Sequence, residues 1–282
     1  MDLNIDSKIE LNNNNEIPLL GLGTWEIPDG KPVIEAILWA IEAEYRHFDT
    51  AAIYGNEKGV GQGIKKAMQE YKLEREEIFV TTKLWITSFQ YEKALKAFEK
   101  SLTNLNLNYI DLYLLHWPNP PYRKEAWKAL EKIYKDGKSR SIGVSNYYKN
   151  HLEELLENAD IIPAVNQVEF TPYLYLKDLK DFCESYNIKL EAYSPLTRGR
   201  RLNDTKLIEV AQRYNKTPTQ ILIRWGLQHN IIEIPKSSKE EHIIENSQIF
   251  DFNLSEEDMS LLNSFDEKLY VGNWNPTLNR WK

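Results

Sequence analysis

The chain has 282 residues, 42% of them hydrophobic and 27% charged, with a formal net charge of −7. This composition is ordinary for a globular protein, and the acidic balance argues against the basic face that a nucleic-acid backbone demands. Cys183 is the only cysteine, which excludes an intrachain disulfide and any cysteine-based metal cluster.

The first stretch, "MDLNIDSKIELNNNNEIP", has neither a basic start nor an apolar centre, so it does not read as a signal peptide. No run is apolar for long enough to span a bilayer. A reducing, cytoplasmic location is expected. "NNNN" at 12–15 sits between "KIEL" and "EIPLLGLGTW", which predicts a β-hairpin turn, because Asn tolerates positive φ.

Short apolar runs then alternate with helical patterns. The predicted strands are 19–25, 46–51, 78–85, 110–117, 141–146, 164–170, 189–196 and 231–237. Between them, "VIEAILWAIEAEY", "YEKALKAFEKSLTNL", "AWKALEKIYKDG" and "TQILIRWGLQ" carry apolar residues three and four apart, as on one helix face. Gly137 supplies a helix stop, and "SEEDMSLL" opens a last helix with a serine cap and early acids. "LKDFCESYN" is amphipathic too, and places Cys183 as a buried structural thiol. No linker divides the chain, so one domain over residues 1–282 is expected.

Eight strands, each followed by a helix, imply parallel pairing in a closed barrel or an open doubly wound sheet. The open sheet usually carries G-x-G-x-x-G after its first strand; "GLGTW" (21–25) and "GVGQG" (59–63) both miss that spacing. The count and the length fit an α/β fold of the (β/α)8 TIM-barrel type with an N-terminal hairpin.

In such a barrel the C-terminal strand ends converge on one mouth. Polar residues lie there: Asp49 with nearby Tyr54, Lys83, His116, Ser145 with Asn146, Gln167, Tyr193 with Ser194, and Lys236 with Ser237. Asp49, Lys83, His116 and Ser145 are 34, 33 and 29 residues apart, about one βα unit each. A tyrosine can protonate a carbonyl oxygen if a neighbouring ammonium makes its phenol more acidic. An aspartate would hold that ammonium, and a histidine would orient the carbonyl. Alone, each has a plainer reading: Asp49 as a helix cap, Lys83 as a solvated lysine, His116 as a structural histidine, Tyr54 as packing. The combination selects the catalytic one. Strand alternation is expected to turn His47 away from Asp49. His151 and His229 show no ligand spacing, and no metal site is expected.

These segments resemble the aldo-keto reductase superfamily. "HFDTAAIYGNEKGVG" (47–61) is similar to its Asp/Tyr segment, "TTKLW" (81–85) to its lysine strand and "LLHWP" (114–118) to its histidine strand. "GVSN" (143–146), "NQVEF" (166–170), "AYSPL" (192–196) and "IPKS" (234–237) resemble its cofactor segments, in the family's order. The likeness runs from the hairpin to "ENSQIFDFNLS" (245–255), and any one piece alone would be weakly specific.

The resemblance implies reduction of aldehydes or ketones by hydride transfer from NADP(H), with NAD(H) as the alternative. Tyr54 would be the proton donor, assisted by Lys83, Asp49 and His116. Ser145, Asn146 and Gln167 match the positions that bind the carboxamide, and Tyr193 the ring that stacks on the nicotinamide. Ser194, Pro195 and Leu196 match the pyrophosphate loop, with the arginines at 198, 200 and 201 as further candidates. Ile234, Pro235, Lys236, Ser237, Ser238 and His242 match the 2′-phosphate segment, and Glu245 and Asn246 the adenine site. Gly23, Thr24, Trp25 and Asp49 complete the cofactor set. Trp25, Tyr54, Trp85, His116, Trp117 and Trp274 are expected around the substrate.

Two departures matter. His242 stands where the family pattern usually has an arginine, and the segment after "AYSPL" is short. The short segment is similar to prokaryotic-type members, and implies small sugars, polyol aldehydes or α-dicarbonyls as substrates. The expected partner is a small carbonyl compound, with no nucleic acid and no membrane, and the chain is expected as a monomer or weak homo-oligomer. Two other classes stay open here: a slow, cofactor-sensing regulatory subunit, and a metal-dependent sugar isomerase or hydrolase on the same barrel. The His242 departure predicts that His242→Arg tightens NADPH more than NADH; dissociation constants for both cofactors check it, and equal changes would place residue 242 away from the 2′-phosphate.

Overall fold

The computed structural model describes residues 3–272. The chain enters through a hairpin of β1 (Lys8–Glu10) and β2 (Glu16–Pro18), paired antiparallel with Ile9 opposite Ile17. Of the four asparagines in its turn only Asn14 has positive φ, at 63°. The others act through their side chains. Asn12 Nδ2 donates to Pro163 O at 2.9 Å, and Asn13 and Asn15 Nδ2 donate to Arg140 O at 3.0 and 2.7 Å. These carbonyls lie at the N-terminal ends of later strands, so the hairpin is tied across the bottom of the molecule.

Eight strands follow: β3 (Leu22–Gly23), β4 (His47–Asp49), β5 (Phe79–Leu84), β6 (Ile110–Leu115), β7 (Ser139–Ser145), β8 (Val165–Glu169), β9 (Lys189–Tyr193) and β10 (Ile232–Glu233). They form one sheet in sequence order with every neighbour parallel. Its two edges meet. Gly21 N donates to Glu233 O and Glu233 N to Leu19 O, both at 2.8 Å, and Gly23 N donates to Pro235 O at 3.2 Å. The sheet is therefore a closed (β/α)8 barrel, as expected from the alternation.

The helices are α1 (Lys31–Glu42), α2 (Glu57–Tyr71), α3 (Tyr91–Leu105), α4 (Arg123–Lys135), α5 (Lys149–Leu156), α6 (Lys177–Ser185), α7 (Thr205–Arg213), α8 (Pro218–Gln228), α9 (Glu240–Ser247) and α10 (Glu256–Asn263). Their starts are chemically marked. Asp204 accepts from Lys206 N and Leu207 N, Thr217 and Gln220 form a capping box ahead of Pro218, and Ser255 accepts from Asp258 N. Cys183 is fully buried on α6, and burial pushes its thiol up to about 12. Among the described residues, no helix is long and apolar enough to cross a membrane.

"GVGQG" also has its explanation. Its glycines lie on the inner face of α2, wedged between neighbours. A Cβ on Gly61 would come within 2.2 Å of Leu105 O, and one on Gly59 within 2.4 Å of a Val33 methyl. The glycines serve helix packing, not a phosphate. Because the clash at residue 61 is with backbone, Gly61→Ala is expected to cost about 1–3 kcal/mol. Urea unfolding at constant m-value measures it, and an unchanged midpoint would show that α2 and α3 can part without penalty.

Candidate functional site at the barrel mouth

Register decides which side chains share the interior. Gly23 pairs with Asp49, Asp49 with Thr81, and Thr81 with Leu112. Two residues further along β5, Lys83 pairs with Leu114, and on the far side Ser145 pairs with Gln167, and Gln167 with Glu191. Residues two apart on a strand point the same way, so His47 shares the face of Asp49. The expectation that it turns away is corrected: His47 Nε2 lies inside the barrel, 3.1 Å from Thr81 Oγ1 and 3.4 Å from Glu191 Oε1.

Asp49 and Lys83 form the centre. Lys83 Nζ donates to Asp49 Oδ1 at 2.6 Å, to Thr50 O at 3.0 Å and to Tyr54 OH at 3.3 Å. The ammonium thus has three oxygen partners and no exposure. Tyr54 reaches it from a single helical turn, Ala52–Tyr54, directly after β4. Burial acts to lower the Lys83 pKa, but the Asp49 carboxylate and the Tyr54 oxygen outweigh it, and the ammonium is held above its ordinary value. Burial pushes the Asp49 carboxyl up, with Lys83 pulling it back.

For Tyr54 the balance differs from the expectation of an acidified phenol. Burial raises its pKa more than Lys83 lowers it, so the phenol stays protonated at neutral pH. His116, one residue past β6, faces Tyr54 edge-on with ring centres 5.7 Å apart, and Trp85 likewise at 5.2 Å. Burial, helped by the Lys83 charge, drives the His116 pKa well below the ordinary imidazole value, so the ring is neutral at neutral pH.

Asp49, Tyr54, Trp85 and His116 line the floor of a cavity of about 430 Å³, and Lys83 lies behind them without lining it. Of the residues singled out in the sequence, Gly23, Trp25, Asp49, Tyr54, Trp85, His116, Trp117, Ser145, Asn146, Gln167, Tyr193, Ser194, Pro195, Leu196, Arg198, Ile234 and Lys236 line it. Thr24 does not; it donates through Oγ1 to Asp49 O at 2.9 Å and so supports the floor from behind. Pro235 is buried in the barrel seam, and Ser237 is engaged in a turn with Lys239. Ser238 and His242 are exposed, and Glu245 and Asn246 lie on α9, away from this cavity. Trp274 falls outside the described residues.

Glu26, Ile53 and Gly272 also line the cavity, and no sequence signal marked them. Gly272 is held there because Val271 N and Gly272 N both donate to the buried carboxylate of Glu169, at 2.6 and 3.2 Å. Of the arginines after β9, Arg198 stacks over Trp25 at 4.2 Å, whereas Arg201 pairs with Glu267 at 2.6 Å.

The hydrogen-bonding edge of the floor is largely committed. Asn146 Nδ2 donates to His116 O at 3.1 Å and Ser145 Oγ at 2.9 Å, and Asn146 Oδ1 accepts from Tyr193 OH at 2.8 Å. Gln167 Nε2 donates to Asp49 Oδ2 and Glu191 Oε2, both at 2.8 Å. Among the described residues this leaves the Ser145 hydroxyl proton and Gln167 Oε1 without a partner, and both residues line the cavity. That pair is complementary to a primary carboxamide.

A parallel barrel whose mouth holds a buried Asp–Lys–Tyr chain beside a neutral histidine is an arrangement suited to proton transfer onto a carbonyl oxygen. The chain belongs to the aldo-keto reductase family: the profile described as "Aldo/keto reductase family" matches residues 19–267. It is 49% identical over 272 residues to a glyoxal reductase of Bacillus subtilis, covering 96% of this chain and 97% of that one. The crystal structure of MGS-M4, an aldo-keto reductase from a Medee basin deep-sea metagenome library, has a TM-score of 0.90 and 43% identity, covering 97% of this chain and 100% of that one. An aldo-keto reductase of Bombyx mori, solved in complex with NADP, has a TM-score of 0.89 and 37% identity, covering 95% of each.

Removing Lys83 leaves Asp49 buried without its cation. Lys83→Met is expected to destabilise the fold by about 3–5 kcal/mol, and the Asp49→Asn/Lys83→Met pair by less than the single change. Denaturant unfolding of these two variants and of Asp49→Asn alone measures this, and a double-variant loss equal to the sum of the two single losses would show that the pair is not coupled.

Proposed function

We propose that the protein is a single-unit carbonyl reductase that uses NADPH to reduce small aldehydes and ketones. One observation carries the reading: at the cavity floor, Lys83 Nζ is shared between Asp49 Oδ1 at 2.6 Å and Tyr54 OH at 3.3 Å. When bound, the dinucleotide would supply the hydride.

The residues present fit that cofactor. Ser145 and Gln167 offer the donor and acceptor that a carboxamide needs, and the Tyr193 ring lines the same wall. Lys236 lines the cavity as an exposed cation suited to a phosphate. On α9, the buried Asn246 Oδ1 has no hydrogen-bond partner among the described residues and could accept from a nucleobase amine.

The chain's own residues then divide the work. Tyr54 holds a proton on its hydroxyl and gives it to the substrate oxygen as negative charge develops there. Lys83 stabilises the phenolate left behind, and Asp49 keeps the ammonium in place. Neutral His116 supplies a ring edge to orient the carbonyl without adding charge that would compete with Lys83. Trp25, Trp85 and Trp117 wall the cavity with apolar surface and exclude water.

The cavity has to house the reactive end of the cofactor and the substrate together, which favours small carbonyls such as α-dicarbonyls and short aldoses. The 49% identity with a glyoxal reductase supports the same class.

Tyr54→Phe is expected to lower kcat by about 10²–10⁴-fold while the NADPH dissociation constant changes by less than about twofold, since the lost hydroxyl is not in the carboxamide edge. Stopped-flow oxidation of NADPH with glyoxal, methylglyoxal and short aldoses checks it. NADPH binding without turnover of any carbonyl by the wild type would favour a cofactor-sensing role instead.

A further inference from the structure

The barrel interior holds more acid than the reaction uses. Beneath Gln167 lies Glu191, fully buried on β9, with Oε2 accepting from Gln167 Nε2 at 2.8 Å and Oε1 3.4 Å from His47 Nε2. The charges facing it can be counted. His47 and Asp49 come from β4, Lys83 from β5, and Tyr54 from the turn after β4; Thr81 and Gln167 face it as neutral groups. Glu233 on β10 is near enough to feel its charge, but packs outward against Gly226 of α8. The one ammonium is already matched by Asp49 at 2.6 Å. An ionised Glu191 would have no cation of its own, and an unpaired buried charge is costly.

We propose that Glu191 is kept as a neutral carboxylic acid inside the barrel and serves, through Gln167, as a positioning residue that fixes which atom of the Gln167 amide faces the cavity. A primary amide has two N–H donors on one atom and an acceptor on the other. Asp49 Oδ2 and Glu191 Oε2 together take both N–H groups, and the opposite orientation would set the amide oxygen against the Asp49 carboxylate. The acceptor Oε1 is therefore the atom presented to the cavity. Removing the Glu191 acceptor would strand one N–H in a dry interior and free the amide to turn.

The titration of these groups agrees with the geometry. Burial, with the Asp49 charge second, pushes the Glu191 carboxyl up to about 8, while burial lowers His47 to about 3, so near neutral pH Glu191 holds its proton and His47 is uncharged. The sign follows: in the unfolded chain this acid ionises near 4.5, so folding loses stability as pH rises from about 4.5 to about 8. Above that range a second negative charge appears beside Asp49 and Gln167.

The test rests in part on the proposed function, because its probe is NADPH. First, the infrared spectrum of the wild type near neutral pH should show a protonated-carboxyl carbonyl band that is absent from Glu191→Gln. Second, Glu191→Gln, which keeps a neutral acceptor, should bind NADPH within about twofold of the wild type near neutral pH. Glu191→Leu should bind NADPH about tenfold more weakly at every pH. The proposal is overturned if the Gln substitution leaves the carboxyl band unchanged, or if that variant binds NADPH about tenfold more weakly than the wild type. It is also overturned if Glu191→Leu binds like the wild type. Should the Leu variant fail to fold, the spectrum and the NADPH affinity of the Gln variant decide. Failure of the wild type to bind NADPH at any pH would overturn the functional reading instead, and the infrared band would still judge Glu191.

Discussion

A single buried ion pair organises this molecule. Lys83 and Asp49 sit within a closed cylinder of apolar strands, where an isolated charge of either sign would be strongly disfavoured. Each is tolerable only because the other is 2.6 Å away and because neighbours satisfy what remains: Thr50 O and Tyr54 OH on the ammonium, Gln167 Nε2 on the carboxylate. The pair therefore fixes the positions of two strands, one loop turn and one amide. The side chains that line the mouth are placed relative to it.

The surrounding electrostatics follow from the same burial. The low dielectric that strengthens the pair also keeps His47 and His116 neutral and holds the Tyr54 phenol protonated. The lysine's part, on this reading, is to stabilise the phenolate as the proton leaves, since it does not acidify the resting phenol below its ordinary range. Spare acid in the interior then has to be carried in neutral form, which makes Glu191 a hydrogen-bonding group instead of a charge.

Much of this was legible before any fold was known. The eight alternating runs led to the barrel, and the polar residues at their ends named most of the cavity wall. "NNNN" was read correctly as a turn, but for an incomplete reason. One asparagine takes positive φ; its three neighbours hold the hairpin to the barrel bottom by contacts more than a hundred residues away in sequence. "GVGQG" misses the dinucleotide spacing, and its helix-packing role needs Leu105 in view. Glu26, Ile53 and Gly272 reach the cavity through loop and tail geometry that no periodicity encodes.

Local chemistry, then, is what the sequence by itself determined: where strands and helices alternate, which residue types stand at strand ends, and that their types suit proton and hydride chemistry. Period, propensity and spacing are properties of neighbouring residues, so they survive without coordinates. The tertiary structure alone decided which way each buried polar group is committed, namely that His47 faces the interior with Asp49, that burial outweighs Lys83 at Tyr54, and that Gln167 gives its amide hydrogens to Asp49 and Glu191. Those outcomes depend on strand register and on the sum of charges within a few ångströms, and both arise only when distant segments close into one barrel.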